Sequence, residues 1–141
     1  MTAPCRVLVR HWQLDVSDDR LEALRAVLAP DERERAARLR VPAVARSVVV
    51  SRAMTRLLLA RDCGCDPRDI AFELGANGKP SLTAPRQANV FNVSHSSGVC
   101  ALATLPDGAG GRAADVILGI DIEAVRPIER DIAGAYFTPR E

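Results

Sequence analysis

Apolar and acidic residues alternate along Ile120-Asp121-Ile122-Glu123, which follows the apolar run Val116-Ile117-Leu118 and Gly119. A two-residue period belongs to a strand. It predicts Asp121 and Glu123 on one face and Ile120 and Ile122 packed on the other. The same pattern predicts a first strand over Cys5 to Leu14, with Val7 and Val9 on one face and Leu8 and Trp12 on the other. Further strands are expected at Ile70 to Leu74, Val90 to Ser94 and Val99 to Leu105. A polar loop through Pro85 and Asn89 precedes Val90, and a glycine-rich loop from Pro106 to Gly111 leads into the acidic strand, a hairpin there being the simplest topology.

Between the first two strands the period changes to that of helices. Ser17-Asp18-Asp19 supplies N-cap chemistry for a helix through Leu28, whose stripe is Leu21, Ala23, Leu24 and Leu28. Pro30 opens a second helix where its missing N–H costs nothing, and Asp31 and Glu32 suit the positive end of the helix dipole. After Pro42 the chain predicts one long helix from Ala43 to Asp62, apolar around most of its circumference and therefore the core helix, with Arg46, Arg52, Arg56 and Arg61 leaving the core at its edges. Gly64 suits the left-handed position that ends it. Toward the end of the chain a weak helical stretch from Ile128 and a helix start at Thr138-Pro139 are expected.

A chain of 141 residues with 48% apolar residues is expected to form a globular domain. No run approaches the roughly 18 consecutive apolar residues of a membrane span, and the N-terminus does not read as a signal sequence, so a cytoplasmic protein with no membrane partner is the expectation. Net charge is +1. Eight arginines crowd between Arg33 and Arg61, but no aromatic residue lies among them to stack a base, which argues against nucleic acid. Lys79 is the only lysine. Cys5, Cys63, Cys65 and Cys100 lack the spacing of a zinc site and read as reduced, structural thiols. His11 reads as a partly buried structural histidine.

Two carboxylates about 7 Å apart along a strand, by its rise per residue, can share one hard cation such as Mg²⁺ when a substrate phosphate completes the shell. Arg35, Arg46, Lys79 and His95 offer cationic or hydrogen-bonding groups to such phosphates. Ser94 and His95 are strand neighbours pointing to opposite faces, so they cannot act as a nucleophile and its base. A strand-to-loop corner presenting a hydroxyl, an imidazole and backbone N–H groups to an anion suits them better.

Gly78-Lys79-Pro80, Phe91-Asn92-Val93-Ser94-His95-Ser96, Gly119-Ile120-Asp121-Ile122-Glu123 and Phe137-Thr138-Pro139-Arg140-Glu141 resemble, in order and spacing, the successive motifs of the Sfp-type 4′-phosphopantetheinyl transferases. Ala29 to Arg35 resembles the helix start preceding them. The resemblance implies an α+β fold that is one half of a pseudo-two-fold molecule, a mixed or antiparallel sheet packed on a long core helix. It implies two units, residues 1–115 as an N-terminal subdomain and 116–141 as the start of a second, metal-binding one. The implied activity is transfer of the 4′-phosphopantetheine arm from coenzyme A, the co-substrate, to a serine of an acyl or peptidyl carrier protein. Asp121 and Glu123 would hold Mg²⁺ and, with His95, form the catalytic set. Arg35, Arg46, Lys79, Pro80, Ser94 and His95 would contact coenzyme A.

Two departures from the family pattern stand out. Glu32 occupies a position where family members often carry a basic residue. The family's Trp-x-x-Lys-Glu-Ala-type helix, with its third acidic metal ligand and general base, is not within these residues. The expectation is a half-site, incomplete until joined by a C-terminal half or a second copy, with apolar residues and a sheet edge exposed. The alternative is a non-catalytic module that binds coenzyme A or the carrier protein.

Overall fold

The computed structural model describes residues 6–76, 78–85, 90–105 and 116–127. Elements run in the order β1 (Leu8–Gln13), α1 (Asp18–Arg25), α2 (Pro30–Ala37), α3 (Pro42–Cys63), a 3₁₀ turn (Pro67–Asp69), β2 (Ala71–Leu74), β3 (Pro80–Ala84), β4 (Val90–Ser96) and β5 (Val99–Leu105). β1, β5 and β4 form an antiparallel three-stranded sheet in that order, and β2 pairs antiparallel with β3. The fold is α+β, as expected. The expected Pro106–Gly111 loop, the helical stretch from Ile128 and the helix start at Thr138 lie outside the described residues, as does the 115/116 boundary between the two expected units.

Local chemistry sets the element ends. Ser17 caps α1 by accepting from the Arg20 N–H, and Pro30 sits in the first turn of α2. α3 runs 22 residues and stops at Gly64, whose left-handed φ of 66° lets its own N–H and that of Cys65 turn back onto Arg61 and Ala60 carbonyls. β4 and β5 are joined by Ser97-Gly98, both at positive φ (48° and 80°), the conformation of a tight hairpin turn.

α3 covers one face of the sheet. Its Val49, Val50 and Ala53 pack with Cys100 and the α1 leucines Leu21 and Leu24, and Leu59 and Ala60 pack with Leu102, Phe91 and Ile70. Full burial of each such leucine stabilises by roughly 1.5–3 kcal/mol. Trp12 packs against both groups. The opposite face, built from Ala103 and Leu105, is covered by Val116, Leu118 and Ile120 of the acidic segment.

Several expectations need correction. Residues 116–127 form no strand; the segment lies on the sheet face, and its amides reach side chains of β4 instead of a backbone ladder. The burial alternation still holds, with Ile120 and Ile122 half-buried and Asp121 and Glu123 exposed. The hairpin therefore joins β4 to β5, not β5 to the acidic segment. The polar stretch before Pro85 contains β3, which pairs with β2 although Pro80 and Ser81 gave it no strand signature. Arg56 does not leave the core; it is buried, for reasons given below. His11 is exposed.

Among the described residues no helix is long and apolar enough to cross a membrane. Apolar surface remains uncovered beside the acidic segment: Val9, opposite Ala103 in the register, is 61% exposed and Ile117 95%. Val125 is also fully open to solvent.

Candidate active site

β4 places Asn92 and Ser94 on the sheet face that carries residues 116–122, because residues two apart on a strand share a face. The Ser94 hydroxyl donates to Asp121 Oδ1 at 2.9 Å and accepts from the Ile122 N–H at 3.3 Å. Ile122 N–H also reaches Asp121 Oδ1 at 3.0 Å, closing a small ring around that oxygen. Two residues back, the Ile120 N–H donates to Asn92 Oδ1 at 2.9 Å. Two further back, Lys79 Nζ donates to the Leu118 carbonyl at 2.7 Å.

Lys79 can reach Leu118 because of the β2–β3 turn. Gly75 N–H donates to the Lys79 carbonyl at 2.9 Å, and Gly78 at φ 72° donates back to Gly75, so the lysine sits at the end of a closed loop just before Pro80 starts β3. Its ammonium is thus held against the acidic segment.

Asp121 and Glu123 are exposed and two residues apart. Oδ1 of Asp121 is engaged as described, which fixes the carboxylate plane and leaves its other oxygen for a ligand. Two exposed carboxylates suit Mg²⁺, which keeps several waters and takes one or two protein carboxylates plus substrate phosphates. Among the described residues no group of three or more His, Cys, Asp and Glu side chains comes together as a complete metal cage. Two carboxylates alone would fit such a cation only with water or other oxygen ligands completing its shell.

The other expected residues are spread more widely. His95 is exposed and, as the strand neighbour of Ser94, projects from the opposite face of β4. Arg46 is taken up by Asp18 (2.6 Å) and the Val16 carbonyl (2.7 Å), tying α3 to the start of α1. Arg35 is exposed in the last turn of α2 and makes no hydrogen bond or ion pair among the described residues.

Arg35 does stand near a second cationic centre that the sequence did not single out. Arg52 stacks over Phe72 at 4.8 Å and reaches Glu32 Oε1 at 3.3 Å. Burial pushes the Arg52 pKa below the usual guanidinium value, against the pull of Glu32, and the Arg56 and Arg35 charges push it further the same way. Glu32 Oε2 accepts from Arg56 Nε at 2.7 Å and from the Ala29 N–H at 2.9 Å. Arg56 completes its bonds with the carbonyls of Pro67 and Ile70. This accounts for an acidic residue at position 32: two arginines drawn into the α2–α3 junction require a compensating charge there.

The fold and this juncture define an α+β unit in which β4 presents a hydroxyl and an amide, and the β2–β3 turn a lysine, to an acidic segment. Residues 10–107 match the family model described as 4'-phosphopantetheinyl transferase, N-terminal. The chain belongs to that family. It is 30% identical over 139 residues to the 4'-phosphopantetheinyl transferase HetI of Nostoc sp. strain PCC 7120, covering 94% of this chain and 55% of the relative. It is 28% identical over 128 residues to the 4'-phosphopantetheinyl transferase Sfp of Bacillus subtilis strain 168, covering 89% of this chain and 52% of the relative. The chain thus spans about half the length of the curated relatives it matches.

Proposed function

We propose that this chain provides the coenzyme A-binding half of a Mg²⁺-dependent transferase that moves the 4′-phosphopantetheine arm onto a serine of an acyl or peptidyl carrier protein. The observation that carries the reading is the bond from Ser94 to Asp121, which joins two of the family-like motifs into one site. In the transfer, the carrier serine hydroxyl gives its proton to a base in the remainder of the site, its oxygen forms a bond to phosphorus, the pyrophosphate bond breaks, and adenosine 3′,5′-bisphosphate leaves with the electron pair. Asp121 and Glu123 would hold Mg²⁺, which would supply positive charge beside the pyrophosphate. Ser94 and the Ile122 N–H keep the Asp121 carboxylate turned toward that position. Arg35 and Arg52 form a cationic edge suited to the remote phosphate of coenzyme A, and His95, exposed on the face of β4 away from Asp121, would contact the adenosine end rather than the pyrophosphate.

Residues 1–115 serve in this reading as the N-terminal subdomain and 116–141 as the start of the metal-binding one. A C-terminal half or a second copy supplies the remainder of the site. The open apolar residues Val9 and Ile117, on the sheet face that carries the acidic segment, support a partner there. Such a transferase works in the cytoplasm, where coenzyme A and carrier proteins meet.

Intact mass spectrometry of an apo carrier protein tests the activity. Incubation with the chain, coenzyme A and Mg²⁺, with the C-terminal half of a relative supplied in a parallel sample, is expected to add one phosphopantetheine in at least one sample and none with Asp121→Ala. A carrier that a relative modifies but that stays unmodified in both samples overturns the proposal.

A further inference from the structure

The acidic segment is held at every second residue, and each hold comes from a side chain. Lys79 Nζ takes the Leu118 carbonyl at 2.7 Å, Asn92 Oδ1 takes the Ile120 N–H at 2.9 Å, and Ser94 Oγ takes the Ile122 N–H at 3.3 Å. Residues 118, 120 and 122 are in step with 92 and 94, so the contacts form a ladder of period two in which β4 contributes side chains where a strand would contribute backbone. We infer that Lys79, Asn92 and Ser94 are positioning residues that lock the register of residues 118–122 and thereby aim Asp121 and Glu123. This deepens the transferase reading and rests on it only for what the carboxylates bind.

Three observations favour a register lock over incidental contact. A backbone ladder has a partner for every second amide, and a slip of one residue would put Asp121 in place of Ile120, burying a carboxylate against Ala103 and Leu105. No β-bridge holds residues 116–127, so among the described residues the polar restraints on this segment's amides are side-chain oxygens. Asn92 touches neither carboxylate, and its Oδ1 is committed to a backbone N–H, so its contribution to the site runs through Ile120. Lys79 likewise has its ammonium on a carbonyl, which assigns it a holding part in addition to any contact with substrate.

The full chain without metal tests this by amide hydrogen exchange read by NMR. Asn92→Ala is expected to speed exchange at Ile120 by about tenfold, the scale of one hydrogen bond, while amides of Leu102 and Ala103 in the β5 ladder keep their protection. Asn92→Asp retains an acceptor oxygen and is expected to restore slow exchange at Ile120. Titration with Mn²⁺ as the probe, followed by water-proton relaxation, is expected to show affinity lowered severalfold in Asn92→Ala and recovered in Asn92→Asp. Asn92→Leu, which keeps the bulk of the side chain without its acceptor, gives the same comparison at Ile120 should position 92 not tolerate alanine. Unchanged exchange at Ile120 in Asn92→Ala, or in Asn92→Leu where alanine is not tolerated, overturns the lock. The exchange readout needs no turnover, so a lock that holds in a chain that transfers nothing would leave this inference standing and remove the activity alone.

Discussion

Glu32 Oε2 lies 2.7 Å from Arg56 Nε, and the two side chains are 11% and 4% exposed. A buried guanidinium is tolerated at the α2–α3 junction because this carboxylate and two backbone carbonyls surround it. Removing the carboxylate strands the charge. Glu32→Ala is expected to cost about 3 kcal/mol or more in urea unfolding, and Glu32→Leu combined with Arg56→Met to recover most of it, since replacing both partners avoids the uncompensated charge. Equal losses in the single and double variants would show that packing, not charge compensation, governs the junction.

Arg10 and Asp62 form a second such tie, with bonds of 2.8 and 2.6 Å from the guanidinium to the two carboxylate oxygens and Thr104 Oγ1 at 3.2 Å from the carboxylate. The pair fastens the end of α3 to β1. Arg10 is a quarter exposed, which lowers the expected cost of Asp62→Ala to about 2 kcal/mol, below that of a fully buried pair. Thermal unfolding measures it.

Cys100 is fully buried beside Ser51, and burial pushes its thiol pKa up against the opposing effect of the Ser51 hydrogen bond. Native and unfolded chains bind the same proton below the ordinary thiol pKa of about 8.5. Above it the unfolded thiol ionises while the native one does not, so the native state binds more protons and stability falls as pH rises. The gap in urea midpoint between the natural chain and Cys100→Ala should therefore shrink as pH climbs past that point. A thiol reagent at neutral pH is expected to modify the half-buried Cys63 and Cys65 well before Cys100.

Arg35 lies near enough to Arg52 for their charges to repel, and the one carboxylate there, Glu32, is already shared by Arg52 and Arg56, an arrangement suited to an added anion. Arg35→Ala is expected to weaken binding of adenosine 3′,5′-bisphosphate about tenfold by calorimetry, the scale of one charge-assisted hydrogen bond. Unchanged affinity would move the phosphate site elsewhere.

Much of the fold was legible from local chemistry. Ser17, Pro30 and Gly64 each announce a helix end by a property of the residue itself, β1 shows its alternation, and β5, buried on both faces, reads as a continuous apolar run. Where the sequence misled, the missing information was tertiary. β3 starts at Pro80 and is strand-like only because β2 lies beside it. Arg56 reads as a surface charge until Glu32, 24 residues away, is brought to it. The acidic segment has a strand's pattern, yet its partners are side chains, which periodicity cannot distinguish from a ladder. Asn92 was passed over although it shares the two-residue spacing with Ser94 that the same pattern rule picks out. Arg52 gave no signal separable from its neighbouring arginines.

In the proposed transferase, coenzyme A meets a Mg²⁺ ion held by Asp121 on this chain. Calorimetric titration of the chain with coenzyme A in Mg²⁺ tests it most directly. Binding is expected to fall by about tenfold or more when Mg²⁺ is chelated, and by as much in Asp121→Ala, the scale of a lost charge-assisted contact. Coenzyme A that does not bind, or binds equally well without the metal and without the carboxylate, would contradict it.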